Sequence, residues 1–282
     1  MNRIHLSHVL PGHVSLHQMM GYKDVIDGVH WGLEQLGYAV TYGVNYIDNN
    51  CRNIMFGAQV LPIDVLQTFR EDTIIYNLDQ IPLDVSVLRQ ETVFNASKFQ
   101  MWDYSESNLA LLSEVKNRYP VKLVPIGYAP NLTRIRHDLP QEIDVLIYGT
   151  ATKGRLQVFH DLAEAGLRCV FLAGLYGAPR DDLIGRSKIV LNLTKIEFHK
   201  IFEIVRVSFL LANRKAVVSD CDSEAFVEEG VAYAVCLVNA SDTVAKCFEL
   251  LRDDAARHAL EQRGFDYIQT RDVRTYLRNA LA

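Results

Sequence analysis

The sequence lacks several features that mark common protein classes. It contains no run near the roughly 20 apolar residues of a membrane span, no low-complexity tract and no internal repeat. Its 5 cysteines are scattered, without a CxxC pair or the Cys/His spacing of a zinc site, so we expect no metal. The scattered cysteines and an N-terminus without a long apolar segment predict a protein of the reducing cytoplasm.

An excess of basic residues is also missing. The chain carries 29 Lys and Arg against 34 Asp and Glu, a formal net charge of −5. Residues 1–130 hold 9 of the basic and 13 of the acidic residues. A surface that binds a nucleic-acid duplex needs clustered positive charge, so the composition argues against a nucleic-acid partner.

What the sequence does contain is a regular alternation of strand-like and helix-like segments. Its 282 residues, 49% of them hydrophobic, suffice for two domains with their own cores. Residues 127–142 lack a period, contain two prolines and separate the two series. We predict an α/β fold of two doubly wound, Rossmann-like domains facing a cleft. The predicted bounds are a first domain at 1–130, a linker at 131–142, a second domain at 143–269 and a final helix at 270–282 that returns to the first domain.

The clearest strand–helix–strand unit runs from Lys188 to Asp220. Two apolar strands flank a helix predicted from Ile201 to Asn213, and ligands of parallel sheets collect at the carboxyl ends of the strands. Glu203 and Arg206 interrupt the apolar helix three residues apart, on one face. They form either a mutual salt bridge or a ligand site in which Glu203 accepts ribose hydroxyls and Arg206 meets a phosphate.

A second candidate ligand site is the segment GTATKGR, which starts at Gly149 between a predicted strand and a predicted helix. Small residues let the backbone approach a ligand, and a helix N-terminus favours an anion. Lys153 and Arg155 add positive charge. The spacing matches neither GxGxxG nor a P-loop, and a tight surface turn is the alternative interpretation.

Three residues of the first half are candidates for proton transfer. Asp79 and Asp103 each end a strand-like stretch, where a carboxylate can face a ligand and take a proton from a hydroxyl. Asp more often caps a turn, which is the alternative for both. His13 lies on a loop punctuated by Gly and Pro and is a further candidate base, with a solvated loop histidine as the alternative.

Three segments of the second half carry a family resemblance: DVLIYGTATKGR, LYGAPRDDLIGRSKIVLNL and FEIVRVSFLLANRKAVVSD. Together they resemble the nucleotide-sugar domain of GT-B glycosyltransferases, with the greatest similarity to the CgeB-like group of bacterial proteins. The resemblance implies a glycosyltransferase of the EC 2.4 type with a nucleotide-sugar donor and no cofactor or metal.

The resemblance also implies roles for individual residues. Gly149 and Thr150 would line the diphosphate with Arg155 near it, Tyr176 and Gly177 would approach the base, and Glu203 and Arg206 would hold ribose and phosphate. The sequence departs from a common GT-B pattern of two glutamates before a Gly-x-Pro turn. Here the position eight residues before Val217 is Phe209, and the turn that starts at Asn213 has neither Gly nor Pro.

The expected reaction is attack of an acceptor hydroxyl on the anomeric carbon of the donor sugar. Asp79 is the first candidate base of an inverting enzyme, followed by His13 and Asp103, and a retaining enzyme would not need that role. The alternatives are a non-catalytic nucleotide-binding or scaffold protein of the same fold, and a sugar-nucleotide epimerase or hydrolase.

Overall fold

The computed structural model describes residues 3–10, 20–82, 88–194, 201–221 and 227–282. The chain divides into two compact units. The first unit comprises Met1–Asn131 and Asp272–Ala282, and the second comprises Leu132–Arg271. Residues 132–142, predicted as part of a linker, therefore belong to the second unit, and the C-terminal residues 272–282 belong to the first.

The first unit is built on a six-stranded sheet in which all paired strands are parallel. The spatial order is β2-β1-β3-β4-β5-β6. The strands are β1 (Arg3–His8), β2 (Ala39–Val44), β3 (Arg52–Phe56), β4 (Ile74–Asn77), β5 (Gln100–Asp103) and β6 (Lys122–Leu123).

Helices connect these strands. Within the described residues of the first unit they are α1 (Lys23–Gln35), α2 (Ile63–Gln67), α3 (Gln90–Lys98) and α4 (Glu106–Ser113), with 3-10 turns at Met20–Tyr22, Ala58–Val60 and Pro130–Leu132. Every residue of β4 is buried. A strand buried on both faces requires cover on both sides of the sheet, and the apolar run of Ile74, Ile75 and Tyr76 in β4 is typical of such a strand.

The C-terminal helix packs against α1 of the same unit. The close approach depends on Gly32, where an added Cβ would lie 2.7 Å from Leu277 and 2.9 Å from Val273. The backbone N–H of Val273 donates to the carbonyl of Tyr128 at 3.1 Å, and the Lys122 ammonium donates to the carbonyl of Ala280 at 2.8 Å. Small residues and these two hydrogen bonds thus fix the chain end on the first unit.

The second unit contains a five-stranded parallel sheet with the order β11-β10-β9-β7-β8. Its strands are β7 (Ile143–Tyr148), β8 (Cys169–Leu172), β9 (Ser187–Asn192), β10 (Ala216–Asp220) and β11 (Cys236–Val238). Its described helices are α5 (Lys153–Glu164), α6 (Ala178–Gly185), α7 (Ile204–Ala212), α8 (Glu229–Ala234), α9 (Thr243–Arg252) and α10 (Asp254–Gln269), with a 3-10 turn at Ala240–Asp242. The helix of the first unit at Val273–Leu281 is α11.

The buried side chain of Asn213 fastens the start of the second unit to its core. Its Oδ1 accepts from the backbone N–H groups of Arg134 and Ile135, both at 2.8 Å. Its Nδ2 donates to the carbonyls of Leu132 and Phe209, both at 2.8 Å. The residue just after α7 is thus an anchor that makes four hydrogen bonds.

Several predicted boundaries in the second unit need correction. The helix expected from Ile201 begins at Ile204. The strand expected at Tyr233–Leu237 is Cys236–Val238, because Tyr233 still belongs to α8. The sequence also predicts a short helix at Glu224–Glu229, and half of it, residues 224–226, lies outside the described residues.

The order in which the chain adds strands reverses at the same point in both sheets. In the first, β1 lies between β2 and β3, and in the second, β7 lies between β8 and β9. The chain therefore leaves the first strand of each unit toward one side and returns to the other side. Such a switch point opens a crevice outside the carboxyl ends of the two central strands, where ligands of doubly wound folds bind.

Candidate functional site

The switch point of the second unit is occupied by Gly149 and two guanidinium groups. Gly149 follows β7 with φ 128°, in the region that favours glycine. A Cβ at this position would lie 3.0 Å from Nη1 of Arg155 and 3.5 Å from Nη1 of Arg206. Glycine is needed here both for the backbone conformation and because two arginine side chains approach the chain closely.

Arg155 holds together the two loops that form the crevice. Its Nε donates to the carbonyl of Leu193 after β9 at 3.0 Å, and Nη2 donates to the same carbonyl at 2.5 Å. Its Nη1 donates to the carbonyl of Thr150 after β7 at 3.1 Å. The residue is only 2% exposed. Burial lowers the pKa of the Arg155 guanidinium to about 10, and the charge of Arg206 adds to this effect.

Arg206 is placed one turn into α7 and is more accessible. Its side chain is 14% exposed and lies 3.3 Å from the carboxylate of Glu203. Nη1 donates to the carbonyl of Tyr148, the last residue of β7, at 2.9 Å. The salt bridge proposed from the spacing of Glu203 and Arg206 therefore exists, although Glu203 stands at the N-cap and not inside the helix. The pair keeps part of its surface toward solvent, with Glu203 31% exposed.

Asp220 is a member of this site that the sequence analysis missed. It ends β10, and its Oδ1 accepts from the backbone N–H of Thr194 at 2.7 Å and from the Thr194 hydroxyl at 2.9 Å. Burial raises the pKa of Asp220, opposed by these hydrogen bonds and by Arg155 and Arg206. The signal for it was available, because Asp220 directly follows a buried strand in the same way as Asp103.

Three further predicted donor-binding residues lie around the same crevice. Thr150 is half-buried and supplies its carbonyl to Arg155. Tyr176 is half-buried, and burial raises the pKa of its hydroxyl, while Arg180 and Arg206 act in the opposite direction. Gly177 caps α6 with φ 66° and ψ −150°, and a Cβ there would meet nothing within 4 Å. Glycine at this exposed position is thus required by the backbone conformation alone.

In the first unit, Asp79 lies just beyond the carboxyl end of β4 and is exposed. Its two carboxylate oxygens accept hydrogen bonds from the Tyr22 hydroxyl and from the Gln59 amide. Tyr22 precedes α1 and Gln59 follows β3, so the bonds join three connections around the switch point of this unit. Asp79 remains a candidate base on grounds of position and access.

Asp103 does not face a ligand, contrary to the sequence-based expectation. It is 0% exposed, and it accepts from the Asn77 amide at 2.7 Å, the Asn108 amide at 3.1 Å and the Ser105 backbone N–H at 2.9 Å. Burial raises its pKa to about 7, against the effect of these hydrogen bonds. Its role is to tie strand ends together, because a substrate cannot reach it.

His13, the third candidate base, lies outside the described residues. Among the residues that the structure does describe, no group of three or more His, Cys, Asp or Glu side chains is arranged to hold a metal ion. No described helix combines the length and apolar character that crossing a membrane requires.

The chain resembles known proteins in its structure but not in its sequence. No protein-family model matches the sequence, and no curated protein is significantly similar to it. Solved structures, in contrast, match the full chain. Sucrose-phosphate synthase from Thermosynechococcus elongatus gives a TM-score of 0.64 at 11% identity, covering 100% of this chain and 98% of that one.

Two further structures match equally completely. Anabaena Alr3699/HepE in complex with UDP-glucose gives a TM-score of 0.62 at 12% identity, covering 100% of this chain and 98% of that one. The DNA modifying enzyme beta-glucosyltransferase gives 0.62 at 15% identity, covering 100% and 99%. These neighbours are GT-B glycosyltransferases.

The chain has the GT-B fold. This confirms the two Rossmann-like domains predicted from strand–helix alternation. At 11–15% identity the likeness establishes the fold alone, so the activity has to be argued from the residues of the site. In a GT-B chain, the arginine pair at the switch point of the second unit is the first place to look for a ligand.

Proposed function

We propose that this GT-B protein is a glycosyltransferase of the EC 2.4 type that moves a sugar from a nucleotide-sugar donor to a hydroxyl acceptor. One observation carries the proposal: two guanidinium groups lie within 3.5 Å of where a Cβ of Gly149 would stand, at the switch point of the second unit. A crevice with two arginines and backbone exposed by a glycine suits a diphosphate. Structures of the same fold contain UDP or UDP-glucose, as in HepE.

The two arginines have different tasks in this proposal. Arg155 spends its hydrogen bonds on carbonyls and fixes the loops, contributing its charge from a buried position. Arg206 is partly exposed and is positioned to donate to a phosphate oxygen. Together with the N-terminal ends of α5 and α7 they stabilise the negative charge that develops on the leaving nucleoside diphosphate.

The remaining polar groups of the crevice would contact the rest of the donor. Glu203 accepts ribose hydroxyls, and the backbone at Gly149 and Thr150 lines the diphosphate. Tyr176 and Gly177 approach the base. Asp220 completes the set as a carboxylate beside Thr194 that limits the net positive charge of the crevice.

Proton removal from the acceptor hydroxyl is assigned to the first unit. Asp79 is exposed at the carboxyl end of its sheet, whereas Asp103 is buried and excluded from contact with substrate. His13 stays a prediction. The role of Asp79 as base applies to a transfer that inverts the anomeric configuration.

The other parts of the proposal follow the sequence. We expect the transfer to proceed without a metal or cofactor, and the acidic composition favours an acceptor other than nucleic acid. We place the protein in the cytoplasm because the scattered spacing of its 5 cysteines is typical of a reducing compartment.

A thermal-shift screen against nucleoside diphosphates and their sugars tests the proposal, because a ligand that binds only the folded state raises Tm by mass action. UDP and UDP-glucose are the first probes. Arg206→Ala is the test variant. Arg168→Ala is the control, because the exposed Arg168 side chain pairs with Asp144 near the start of β7, at the opposite end of the strands from Gly149.

We expect a shift with one class of nucleotide that Arg206→Ala abolishes and the control retains, followed by nucleoside diphosphate release when donor and acceptors are mixed. Binding without release across a broad acceptor panel would favour a scaffold protein. Equal donor consumption with and without acceptor would favour an epimerase or hydrolase. No shift with any nucleotide would contradict the proposal.

A further inference from the structure

Asp79 combines exposure with unusually firm fixation. Surface carboxylates normally rotate freely or pair with nearby cations. Here the partners in the described part of the chain are uncharged: the Tyr22 hydroxyl donates to Oδ1 and the Gln59 amide to Oδ2. Tyr22 is 6% exposed and Gln59 is 9% exposed, so both donors are held by the interior of the first unit.

Two buried asparagine side chains hold the backbone of Asp79. The amides of Asn77 and Asn108 each donate to the carbonyl of Asp79 at 2.8 Å. Both amides also donate to the buried carboxyl of Asp103, at 2.7 Å and 3.1 Å. The turn that carries Asp79 is therefore held by side chains that are themselves buried and hydrogen-bonded.

This arrangement leaves the carboxylate chemically available. An ionised carboxylate offers about four acceptor positions. Among the described residues, Tyr22 and Gln59 each occupy one position, one on each oxygen, and the side chain of Asp79 is exposed. Neutral donors orient the group, whereas a paired guanidinium would stabilise its charge more strongly and weaken it as a base. Burial raises the pKa of the Tyr22 hydroxyl well above its usual value, with Asp79 adding to the effect, so Tyr22 stays a donor.

We propose that Tyr22 and Gln59 are positioning residues that hold the exposed carboxylate of Asp79 as the general base for the acceptor hydroxyl. This inference rests on the proposed transferase function. The acceptor hydroxyl gives its proton to Asp79 while its oxygen forms a bond to the anomeric carbon of the donor. The bond from that carbon to the diphosphate breaks, and the nucleoside diphosphate leaves with the electron pair.

A structural role makes a different prediction. Suppose that Asp79 served only to accept hydrogen bonds from Tyr22 and Gln59. In Asp79→Asn, the amide oxygen of the new side chain would then accept from one of them, and kcat would change only with the folded fraction of the protein. A base lost in this way lowers turnover by roughly 10²- to 10⁴-fold at unchanged donor binding.

The experiment uses the full-length protein with UDP-glucose as donor and compares Asp79→Asn, Tyr22→Phe and Gln59→Met. Tyr119→Phe and Gln67→Met are matched controls, because both side chains are exposed on the same unit. UDP release with the best acceptor of a sugar panel, or with water, gives kcat and the KM of the donor. Calorimetry gives the Kd of UDP, and thermal unfolding gives the folded fraction.

We expect Asp79→Asn to lose roughly 10²-fold or more in kcat. Tyr22→Phe and Gln59→Met each lose about 10-fold, since one hydrogen bond to a charged group is removed. In all three, the KM of the donor and the Kd of UDP stay at wild-type values, and the controls behave as wild type.

Wild-type kcat in Asp79→Asn, or losses in Tyr22→Phe and Gln59→Met that merely track the folded fraction, would overturn the inference while the transferase function stands. If one of the two positioning variants does not fold, the other decides. Absence of binding and of turnover in the wild-type protein with every nucleotide and nucleotide sugar of the screen would instead overturn the proposed function, and this inference with it.

Discussion

The sheets of the two units share the order of their first five strands, and side chains of different charge lie at the two switch points. At the switch point of the second unit, Gly149 lies beside two guanidinium groups. Around the switch point of the first, neutral donors orient the exposed carboxylate of Asp79. The fold thus places a switch point in each unit. A few side chains, two guanidinium groups in one unit and a carboxylate in the other, give the two places opposite charge.

Each unit also buries an ionisable group beneath its site. Burial raises the pKa of Asp103 to about 7 in the first unit and lowers that of Arg155 to about 10 in the second. In both cases desolvation disfavours the charged form. Asp103 anchors the amides that hold the exposed Asp79, and Arg155 anchors the loops beside the partly exposed Arg206, so each buried group supports a more accessible one.

The raised pKa of Asp103 predicts a pH-dependent stability of the first unit. Because its folded-state pKa lies above the usual value of 3.8, its contribution to stability is present at acid pH and is lost as pH rises through about 7. Wild type should lose about 3 kcal/mol of unfolding free energy relative to Asp103→Asn between pH 5 and pH 8. Urea unfolding of both proteins at several pH values measures this difference. A constant difference would show that Asp103 has an ordinary pKa.

The corresponding change in the second unit is Arg155→Met. It leaves the carbonyls of Leu193 and Thr150 without their buried donor, so we expect a loss on the order of 3 kcal/mol in stability together with weaker nucleotide binding. Arg168→Met is the control, since its side chain is 63% exposed and should change stability by less than about 0.5 kcal/mol. Urea unfolding and calorimetry report the two effects. Wild-type stability in Arg155→Met would mean that Arg155 does not fix the loops.

Gly149→Ala tests whether the close approach of the arginines requires glycine. The substitution strains a residue with φ 128° and places a Cβ 3.0 Å from Arg155, so we expect a loss of about 2 kcal/mol in stability and reduced UDP affinity. Gly154→Ala is the matched control one turn away: a Cβ there meets nothing within 4 Å, and alanine in helix α5 should be neutral or slightly stabilising. Equal behaviour of the two variants would remove the special role of Gly149.

The smallest structural effect is expected at Gly177. Its φ of 66° strains any replacement, but its Cβ position is open, so Gly177→Ala should lower stability by about 1 kcal/mol without a steric effect on neighbours. Thermal unfolding measures this loss. A decrease as large as that of Gly149→Ala would show that strain and not the arginine contact explains both sites.

The sequence predicted the fold because its signals are local. Apolar runs such as Ile189–Leu191 and Ala216–Val218 marked strands buried on both faces, and the strand–helix alternation of both halves is confirmed by the two parallel sheets. The helix containing Arg206 was predicted for the same reason, with its start misplaced by three residues because the apolar residues Ile201 and Phe202 precede the helix.

The site was less predictable because its contacts are long-range. Arg155 bonds a carbonyl 38 residues away, and no local pattern indicates this. Asp79 and Asp103 looked alike in sequence, since both end apolar runs. Their long-range contacts distinguish them. The Asn77 and Asn108 amides bind the buried carboxyl of Asp103, whereas Tyr22 and Gln59 bind the exposed carboxylate of Asp79.

The most direct test of the account is a calorimetric titration of UDP into the wild-type protein and into Arg206→Ala. We predict one site per chain, with affinity about 30-fold weaker in a variant that still folds, as expected for the loss of a charged hydrogen bond to phosphate. Equal affinity in the two proteins would contradict the placement of the diphosphate beside Gly149 at the switch point of the second unit.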